Sequence, residues 1–458
     1  MRARFLHLAD VHLGTYHWGS RERARDYGRA LRWVTEYAAD TTLGPGEPVG
    51  FVLIAGDLFD RAGIDAATHD EAHDALRTLQ RAHIPVVVTE GNHDRPKDRE
   101  HKSWLESFAD RGYFAYLDAG FSARETPGGT REMMCTLAPF DHERMAGSYV
   151  DLAGIRIVGM RYVGHSLRRC VDAMARALDG LPTPAARTIL AVHGGVEGII
   201  PGYKAEVTRD QLAVLEPRLD YLALGHIHKR FTNRDLDDPL GTHGATLREW
   251  VFNPGSLQLW RRDEAPWRHG FYDVLLDDAL PRGLEARFVE APDRPCAAMH
   301  LDVGDCASPE DLLAAARRIV EERRDTLGAG ERPLAFLVLG GRLRFDRREL
   351  DLGALDTLLR DVFDPVARDV ADRTVLTEAD VRLGSGWDGP IDQAGLEREI
   401  YRQLWLADER DRPHADALAD LTQQVKGMVL EAIAPGEVLD HLLASYRALR
   451  KESHNGTA

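Results

Sequence analysis

The sequence has few cysteines and no long apolar run, and each shortage excludes a class of protein. The four cysteines, Cys135, Cys170, Cys296 and Cys306, form no Cys-x-x-Cys pair. We therefore expect buried, reduced thiols and no disulfide framework. No apolar stretch approaches the ~18 residues of a membrane-spanning helix, and the first residues lack the long apolar region of a signal peptide. These absences predict a cytoplasmic protein without a membrane anchor.

A surplus of positive charge is also missing. The formal net charge is −16, whereas proteins that bind nucleic acids usually present a basic surface that displaces counterions from phosphate. The negative net charge does not exclude a nucleic-acid substrate, because carboxylates that bind metal ions are neutralised by them. Charge can also be segregated between domains. Short basic groups, each a DNA contact or an ordinary solvated face, lie at residues 21–29, 168–169, 229–230 and 261–262.

The sequence does contain an ordered set of short motifs rich in Asp, Asn and His. They are Asp10-Val11-His12, Gly56-Asp57-Leu58-Phe59-Asp60, Gly91-Asn92-His93-Asp94, His193-Gly194-Gly195, Gly225-His226-Ile227-His228 and Asn253-Pro254-Gly255-Ser256. The first five follow short apolar runs, which are typical of buried strands. Because an α/β fold gathers its catalytic groups at the carboxyl ends of its strands, these side chains are predicted to meet at one edge.

No single motif residue identifies a site. An Asp after a strand is as readily a helix N-cap, and a lone His is more often a core residue. An ordered set of carboxylate, amide and imidazole donors suits Mn²⁺ or a similar divalent ion, and the motifs contain no cysteine that would favour thiolate-bound zinc. We therefore favour a metal centre.

The ordered motifs resemble those of the calcineurin-like metallophosphoesterase superfamily and, within it, the SbcD-type DNA repair nucleases. The resemblance covers about the first 275 residues. It implies an α/β fold, a four-layer sandwich followed by a small α/β capping domain and C-terminal helices. It also implies a Mn²⁺-dependent exonuclease and endonuclease that hydrolyses phosphodiester bonds in DNA, as the nuclease subunit of an SbcC–SbcD-like repair complex.

The resemblance further implies a role for each motif residue. One metal ion would be held by Asp10, His12, Asp57 and His228, and the other by Asp57, Asn92, His193 and His226, with Asp57 as the bridge. His93 would face the scissile phosphate, to stabilise the transition state or protonate the leaving oxygen. Asp60 is expected to accept a hydrogen bond from His93 and fix its tautomer. The turn at 253–256 is interpreted as structural.

Two other functions stay open. Asp60-Arg61 is similar to the start of the Asp-Arg-Gly motif of protein serine/threonine phosphatases, in which the Arg binds the substrate phosphate. The alternative is therefore a metal-dependent phosphatase or phosphodiesterase acting on protein or small-molecule phosphates. Against it, Ala62 follows Arg61, and Asp94 stands where those enzymes have Glu. The other function is a non-catalytic adaptor for an ATPase, which the complete ligand set argues against.

The chain is longer than one hydrophobic core usually is, and its pattern indicates three parts. Residues 1–290 are predicted to form the nuclease domain, 296–384 the capping domain that helps to select DNA in the similar family, and 391–452 a helical segment that binds a partner. The capping domain is predicted to have strands at 297–303, 334–345 and 374–383 and helices at 308–327 and 352–370. A glycine-rich break lies at 384–390.

Two apolar stripes at helical spacing mark the C-terminal segment. They consist of Leu418, Leu421, Val425 and Met428, and of Leu439, Leu442, Leu443, Tyr446 and Leu449. Such stripes pack either on their own chain or in a partner's groove. The resemblance implies an SMC-like ATPase of the SbcC type as the partner. Since the chain has no Gly-x-x-x-x-Gly-Lys-Ser/Thr loop, any ATP dependence would come from that ATPase. A homodimer stays open.

Overall fold

The computed structural model of the chain describes residues 1–40, 42, 48–96, 101–125, 129, 131–181, 185–237, 247–327, 330–375, 393–406, 411–430, 433 and 435–455. The chain consists of two compact units, the first of which comprises residues 1–298, 327–335 and 363–368.

The first unit contains two large sheets. Their strand orders are β15-β14-β1-β2-β3-β4-β7 and β12-β13-β11-β10-β9-β8, and β5 pairs with β6 in a separate hairpin. The strands are β1 (Arg2–Leu8), β2 (Phe51–Ala55), β3 (Val86–Thr89), β4 (Ala115–Leu117), β5 (Gly120–Glu125), β6 (Arg131–Thr136), β7 (Ala146–Gly147), β8 (Tyr149–Leu152), β9 (Ile155–Met160), β10 (Arg187–His193), β11 (Tyr221–Gly225), β12 (Phe231–Thr232), β13 (Val251–Asn253), β14 (Gly270–Asp277) and β15 (Leu284–Glu290).

Helices accompany both sheets. They are α1 (Arg21–Ala39), α2 (Ala66–Arg81), α3 (Trp104–Ala109), α4 (Leu167–Asp179), α5 (Arg209–Ala213) and α6 (Asn233–Asp237). The two longest begin at side-chain caps, because Ser20 accepts a hydrogen bond from the backbone of Arg23, and Asp65 does the same for Thr68. Residues 21–37 and 66–82 have helical apolar spacing in the sequence, and both helices start where this spacing predicts them.

The strands alternate between two faces, and this alternation produces the layers. In β1, Phe5 belongs to the apolar cluster between the two sheets, whereas Leu6 belongs to the cluster beneath α1 and α2. In β10, Ile189 likewise joins the inter-sheet cluster, and Leu190 joins the cluster beneath α4. Since side chains of a strand point alternately to its two faces, the order is helices, sheet, sheet, helices. The predicted four-layer α/β sandwich is confirmed.

The region between β4 and α4 was not predicted from the sequence. The hairpin strands β5 and β6 are exposed or half-buried along most of their length. Their side chains therefore show no apolar alternation by which a pattern would identify them.

The second unit comprises residues 299–326, 336–362 and 369–458. A three-stranded sheet in the order β16-β17-β18 accompanies two helices. These elements are β16 (Cys296–Asp302), α7 (Pro309–Leu327), β17 (Leu334–Gly340), α8 (Leu352–Phe363) and β18 (Ala367–Asp372). The division of the chain into domains at 290, 296, 384 and 391 stays a prediction.

Three boundaries predicted for this unit are wrong. The strand predicted over 334–345 ends at Gly340. The helix predicted over 352–370 ends at Phe363, because Asp364 takes a left-handed φ of 41° and Pro365 cannot continue a helix. Strand β18 therefore begins inside the range predicted as helix. Of the strand predicted over 374–383, Thr374 and Val375 follow β18 outside any strand. The remainder, 376–383, and the break at 384–390 lie outside the described residues.

The C-terminal part is helical, as predicted. It forms α9 (Gln393–Leu406), α10 (Ala415–Leu430) and α11 (Pro435–Asn455), and α10 packs against both of the others. Leu418 and Leu421 of the first stripe are buried, whereas Leu439, Leu442 and Leu443 of the second are 37–54% exposed. In the described parts of the chain, no helix is long and apolar enough to cross a membrane.

Candidate active site

The motif residues converge where β1, β2, β10 and β11 end. Asp10, His12 and His228 offer ligand atoms that all lie within 4.8 Å of one another, and so do Asp10, Asp57 and His193. Asp10 belongs to both groups, so that they form one centre.

The remaining two predicted ligands lie in the same place. Asn92 Oδ1 is 2.9 Å from His226 Nδ1 and 3.1 Å from His193 Nε2. The structure thus brings together all seven side chains that the sequence suggests as metal ligands. Asp10, His12, Asp57 and His193 are almost completely buried, while Asn92 and His226 are half-buried.

The backbone is strained at the donor positions. Asp10, His12, Asp57 and His226 have φ values of 51°, 52°, 53° and 86°, in the left-handed region that residues other than glycine rarely adopt. Each such residue costs about 1–3 kcal/mol and persists only where the surroundings impose it. Here the amides of Val11 and His12 both donate to the carbonyl of Asp57, at 2.9 and 3.0 Å. The strain is concentrated on the residues that carry the chemistry.

Two motif glycines are required because the strand ends approach one another closely. A Cβ atom on Gly91 would lie 2.0 Å from Asp57 Oδ1, and one on Gly225 would lie 2.3 Å from the carbonyl oxygen of Ala55. Any side chain at either position would push the donors apart.

The electrostatics of the centre favour a cation. His12 Nε2 and His228 Nε2 face each other at 3.0 Å, which two unprotonated nitrogens cannot do without a proton or an ion between them. Burial lowers the pKa of His193, but the carboxylates of Asp57 and Asp10 outweigh it and raise that pKa to about 10. Burial acts in the opposite sense on Asp57, whose pKa is nevertheless held below its usual value by His193. The donor set fits divalent ions.

The ring nitrogen that faces away from the centre has a partner in each of the four histidines suggested as ligands. His228 Nδ1 is 2.9 Å from Glu264 Oε1, and His226 Nε2 is 3.3 Å from Glu206 Oε1. His12 Nδ1 faces Asp60 Oδ1 at 3.5 Å. His193 Nδ1 donates to the carbonyl of Ala55 at 2.8 Å. Such partners orient metal-binding histidines and raise their basicity.

The hydrogen bond predicted from His93 to the Asp60 carboxylate is wrong. His93 Nδ1 lies 2.6 Å from the backbone carbonyl of Asp60, while the Asp60 carboxylate accepts from Trp260 Nε1 at 2.9 Å and faces His12. The carbonyl fixes the tautomer of His93, because only Nδ1–H can donate to it. His12, Asp60 and His93 form a third group of closely spaced donors, in which this hydrogen bond occupies Nδ1 of His93.

Trp260, Glu206 and Glu264 were not predicted from the sequence. The Trp260 ring stacks on His12 with centroids 5.2 Å apart, and it meets His93 and His228 edge-on at 5.6 and 5.1 Å. All three residues lie outside the motifs, and no local pattern marks them. The only signal is that Trp260 and Glu264 closely follow the turn at 253–256.

That turn has the structural role predicted for it. Asn253 Nδ2 donates to the carbonyls of Ile227 and Lys229, at 2.6 and 3.0 Å, and so holds the backbone on both sides of His228.

Arginines of three of the basic groups have contacts within the protein. Arg23 is completely buried and donates to Asp26, Gln258 and the carbonyl of Leu259. Arg168 donates to the carbonyls of Ala205 and Glu206. Arg261 lies over the Trp260 ring at 4.6 Å, beside the centre.

Comparisons with known proteins agree with this geometry. Residues 3–230 match the model of the calcineurin-like phosphoesterase family. The DNA double-strand break repair protein Mre11 of Aeropyrum pernix is 26% identical over 416 residues, which are 87% of this chain and 88% of that protein. The protein of the same name from Archaeoglobus fulgidus is 26% identical over 321 residues, 64% of this chain and 65% of that protein.

A solved structure, TT1561 of Thermus thermophilus, covers 63% of this chain and 99% of its own, with 13% identity and a TM-score of 0.32. The family match includes five of the six motifs and every side chain suggested here as a metal ligand. Residues 3–230 therefore form a calcineurin-like phosphoesterase domain.

Proposed function

We propose that the protein is a Mn²⁺-dependent DNA nuclease, with exonuclease and endonuclease activity, that acts in DNA repair in the cytoplasm. The observation that carries the proposal is the convergence of seven metal-binding side chains in one buried centre. The two relatives described above are named as DNA double-strand break repair proteins, and this supports DNA as the substrate.

The seven side chains would hold two ions, in the sets that the family resemblance implies. Asp10, His12, Asp57 and His228 would hold one ion, and Asp57, Asn92, His193 and His226 the other. When bound, the ions supply charge neutralisation for the phosphoryl oxygens and a nucleophile derived from water at neutral pH. Oxygen and imidazole donors suit Mn²⁺.

His93 is proposed as the acid at the leaving oxygen. Its backbone amide donates to Asp57 Oδ1 at 2.8 Å, and Nδ1 is taken by the carbonyl of Asp60. Nε2 is therefore the atom that can hold a proton for the substrate. Asp60 assists through its backbone carbonyl, and its carboxylate positions His12 and Trp260.

The phosphatase alternative needs Arg61 to bind the substrate phosphate. Its guanidinium instead donates to the carbonyl of Gly14 at 3.1 Å. We therefore favour the nuclease.

One assay tests the proposal directly. The purified protein with Mn²⁺ is incubated with linear duplex DNA, circular single-stranded DNA and p-nitrophenyl phosphate esters, with the Asp57→Asn variant as the control for contaminating nucleases. We expect Mn²⁺-dependent cleavage of both DNAs by the unaltered protein alone. Rapid hydrolysis of the monoester without DNA cleavage would establish the phosphatase instead.

We also propose that the C-terminal helices bind an SMC-like ATPase of the SbcC type. The apolar side chains of Leu439, Leu442 and Leu443 on α11 and of Leu404 on α9 are 37–65% exposed. An exposed apolar stripe on a helix is the form in which helices enter a partner's groove. The chain has no nucleotide-binding loop of its own, so ATP would act through this partner.

A further inference from the structure

The two metal positions differ in the groups that contact the outer ring nitrogens of their histidines, which are the nitrogens directed away from the metal. At the position of Asp10, His12 and His228, both imidazoles are backed by carboxylates, from Asp60 and Glu264. At the other position, His193 donates to the neutral carbonyl of Ala55, and Nε2 of His226 lies 2.9 Å from the Tyr203 hydroxyl and 3.3 Å from the carboxylate of Glu206.

Glu264 and Glu206 are directed at the histidines by their surroundings. Each is 4% exposed, and among the described residues each makes its one ion-pair contact with a histidine. The second oxygen of Glu264 accepts from the backbone amide of Trp260 at 2.7 Å, and that of Glu206 accepts from the amide of Gly195 at 2.9 Å. A buried carboxylate without a basic side chain beside it stabilises whichever cation lies nearest.

The charges therefore favour one position. Asp57 is shared, and Asp10 Oδ1 lies 3.8 Å from His228 Nε2 and 3.9 Å from His193 Nε2, so that both carboxylates cancel from the comparison. The first position adds the negative charges of Asp60 and Glu264, whereas the second adds that of Glu206 and takes the neutral amide of Asn92 as a ligand. The first position is also the more buried, because His12 is 0% exposed and only His228 is half-buried, whereas Asn92 and His226 are both half-buried. Charges interact more strongly where water is excluded.

We propose that Glu264 and Glu206 are positioning residues, each of which controls one metal position, and that the position of Glu264 fills first and binds its ion more tightly. This inference rests on the proposed two-ion centre.

The Glu→Gln variants test it, because they keep the shape of the side chain and change one oxygen. In Glu264→Gln, the new side chain has a single acceptor oxygen for two donors, the amide of Trp260 and His228 Nδ1. One donor would then face an NH₂ group, so that His228 is no longer held in the metal-binding tautomer. Glu206→Gln acts at His226 through the lost negative charge, because Nε2 of His226 also lies 2.9 Å from the Tyr203 hydroxyl, which keeps its contact in the variant.

The readout is metal binding, without substrate. Metal-free protein is titrated with MnCl₂ while electron paramagnetic resonance follows free Mn²⁺. For the unaltered protein we expect two ions bound in two steps of different affinity. Glu264→Gln should weaken the first step by about 10- to 100-fold, the usual effect of such a partner, and Glu206→Gln should weaken only the second. Circular dichroism checks the fold. If Glu264→Gln does not fold, Glu264→Asp, which keeps the charge at a greater distance, should still weaken only the first step.

Metal binding also distinguishes failure of the two-ion centre from failure of the inference about Glu264 and Glu206. If the unaltered protein binds one ion or none, the two-ion centre itself is wrong. If it binds two ions with equal affinity, or if either glutamate variant changes both steps equally or neither, the centre stands and the inference about the glutamates is overturned.

Discussion

At the scale of single residues, Asp57 is the side chain on which both proposed metal positions depend. Its Oδ2 lies 3.2 Å from His193 Nε2 and 3.8 Å from His12 Nε2, and its Oδ1 accepts the amide of His93. We expect Asp57→Asn to bind at most one Mn²⁺ and to lose DNA cleavage, because an amide oxygen cannot bridge two ions as a carboxylate does. Metal stoichiometry measures this, with the exposed Asp70→Asn as the control. Two ions bound to Asp57→Asn would contradict it.

His93 has a different expected signature, because it is proposed to act on the substrate. His93→Ala should retain both ions and DNA binding while turnover falls by about two to four orders of magnitude, the usual contribution of a positioned acid. Single-turnover cleavage and Mn²⁺ titration measure the two properties separately. His142→Ala, an exposed histidine far along the chain, is the control. Loss of metal by His93→Ala, or cleavage at the normal rate, would show that the assigned role is wrong.

The sequence predicts some of these residues and not others for a physical reason. Asp10, Asp57 and His193 directly follow apolar strands, so that strand position and residue type together indicate a shared edge. Glu264 and Trp260 reach the centre from a loop whose path depends on tertiary packing, and no periodic pattern carries that information. The partner of His93 was mispredicted because a sequence shows the Asp60 side chain but not where its carbonyl points.

At the scale of elements, a buried ion cluster joins α1 to the segment that follows β15. Asp26 on α1 accepts hydrogen bonds from Arg23 at 2.9 Å and from Arg294 at 2.7 and 2.8 Å, and it also pairs with Arg29. Asp26, Arg23 and Arg294 are at most 5% exposed. Arg23 is therefore a structural residue of the core, whereas the sequence analysis treated residues 21–29 as a DNA contact or a solvated face.

Asp26→Asn should destabilise the protein by about 3–5 kcal/mol near pH 7, because it removes the buried counter-charge of two buried arginines. Their other acidic partners, Asp293 for Arg23 and Glu22 for Arg294, are more exposed than Asp26. Burial opposes ionisation of Asp26, but Arg294 and Arg23 hold its pKa below the ordinary value of 3.8. A lowered pKa stabilises the fold above the ordinary carboxyl pKa, and this contribution is lost as the pH falls through the lower folded value. Urea unfolding should therefore show a difference between the two proteins that is constant from pH 7 to about 5 and shrinks below pH 3.8. A difference that does not change with pH would exclude the ionic origin.

The elements themselves were predicted where their pattern is regular. Helices α1 and α2 and the central strands have uninterrupted apolar faces, so that periodicity locates them. The end of α8 was missed because apolar spacing continues through Val366 and Val370, whereas the φ of Asp364 and the ring of Pro365 end the helix locally. In that case backbone geometry outweighs the apolar pattern.

At the scale of the whole molecule, the net charge of −16 is partly a property of the active centre. Asp10, Asp57, Asp60, Glu206 and Glu264 are five carboxylates gathered around it. Two divalent ions would offset most of their charge. The repulsion between this surface and a DNA phosphate is therefore expected to be weaker in the metal-loaded protein than the sequence total indicates.

The assembly of the whole molecule with the proposed ATPase can be tested at the apolar face of α11, where substitutions should not disturb the fold. Leu439 and Leu443 are 54% and 40% exposed and lie one helical turn apart. We expect Leu439→Glu combined with Leu443→Glu to abolish co-purification with the SMC-like ATPase and any ATP stimulation of cleavage. Mn²⁺-dependent cleavage of single-stranded DNA should stay within about twofold of the rate of the unaltered protein. The melting temperature should be nearly unchanged, since exposed positions contribute little to stability. Ala444→Glu, also exposed but on another side of α11, is the matched control and should keep the ATPase.

A chain ending at Gly389 should lose the ATPase and the ATP stimulation, as the double variant does. Retention of the ATPase by the double variant would exclude this face as its binding site, and a sharp fall in melting temperature would show that the stripe belongs to the protein's own core.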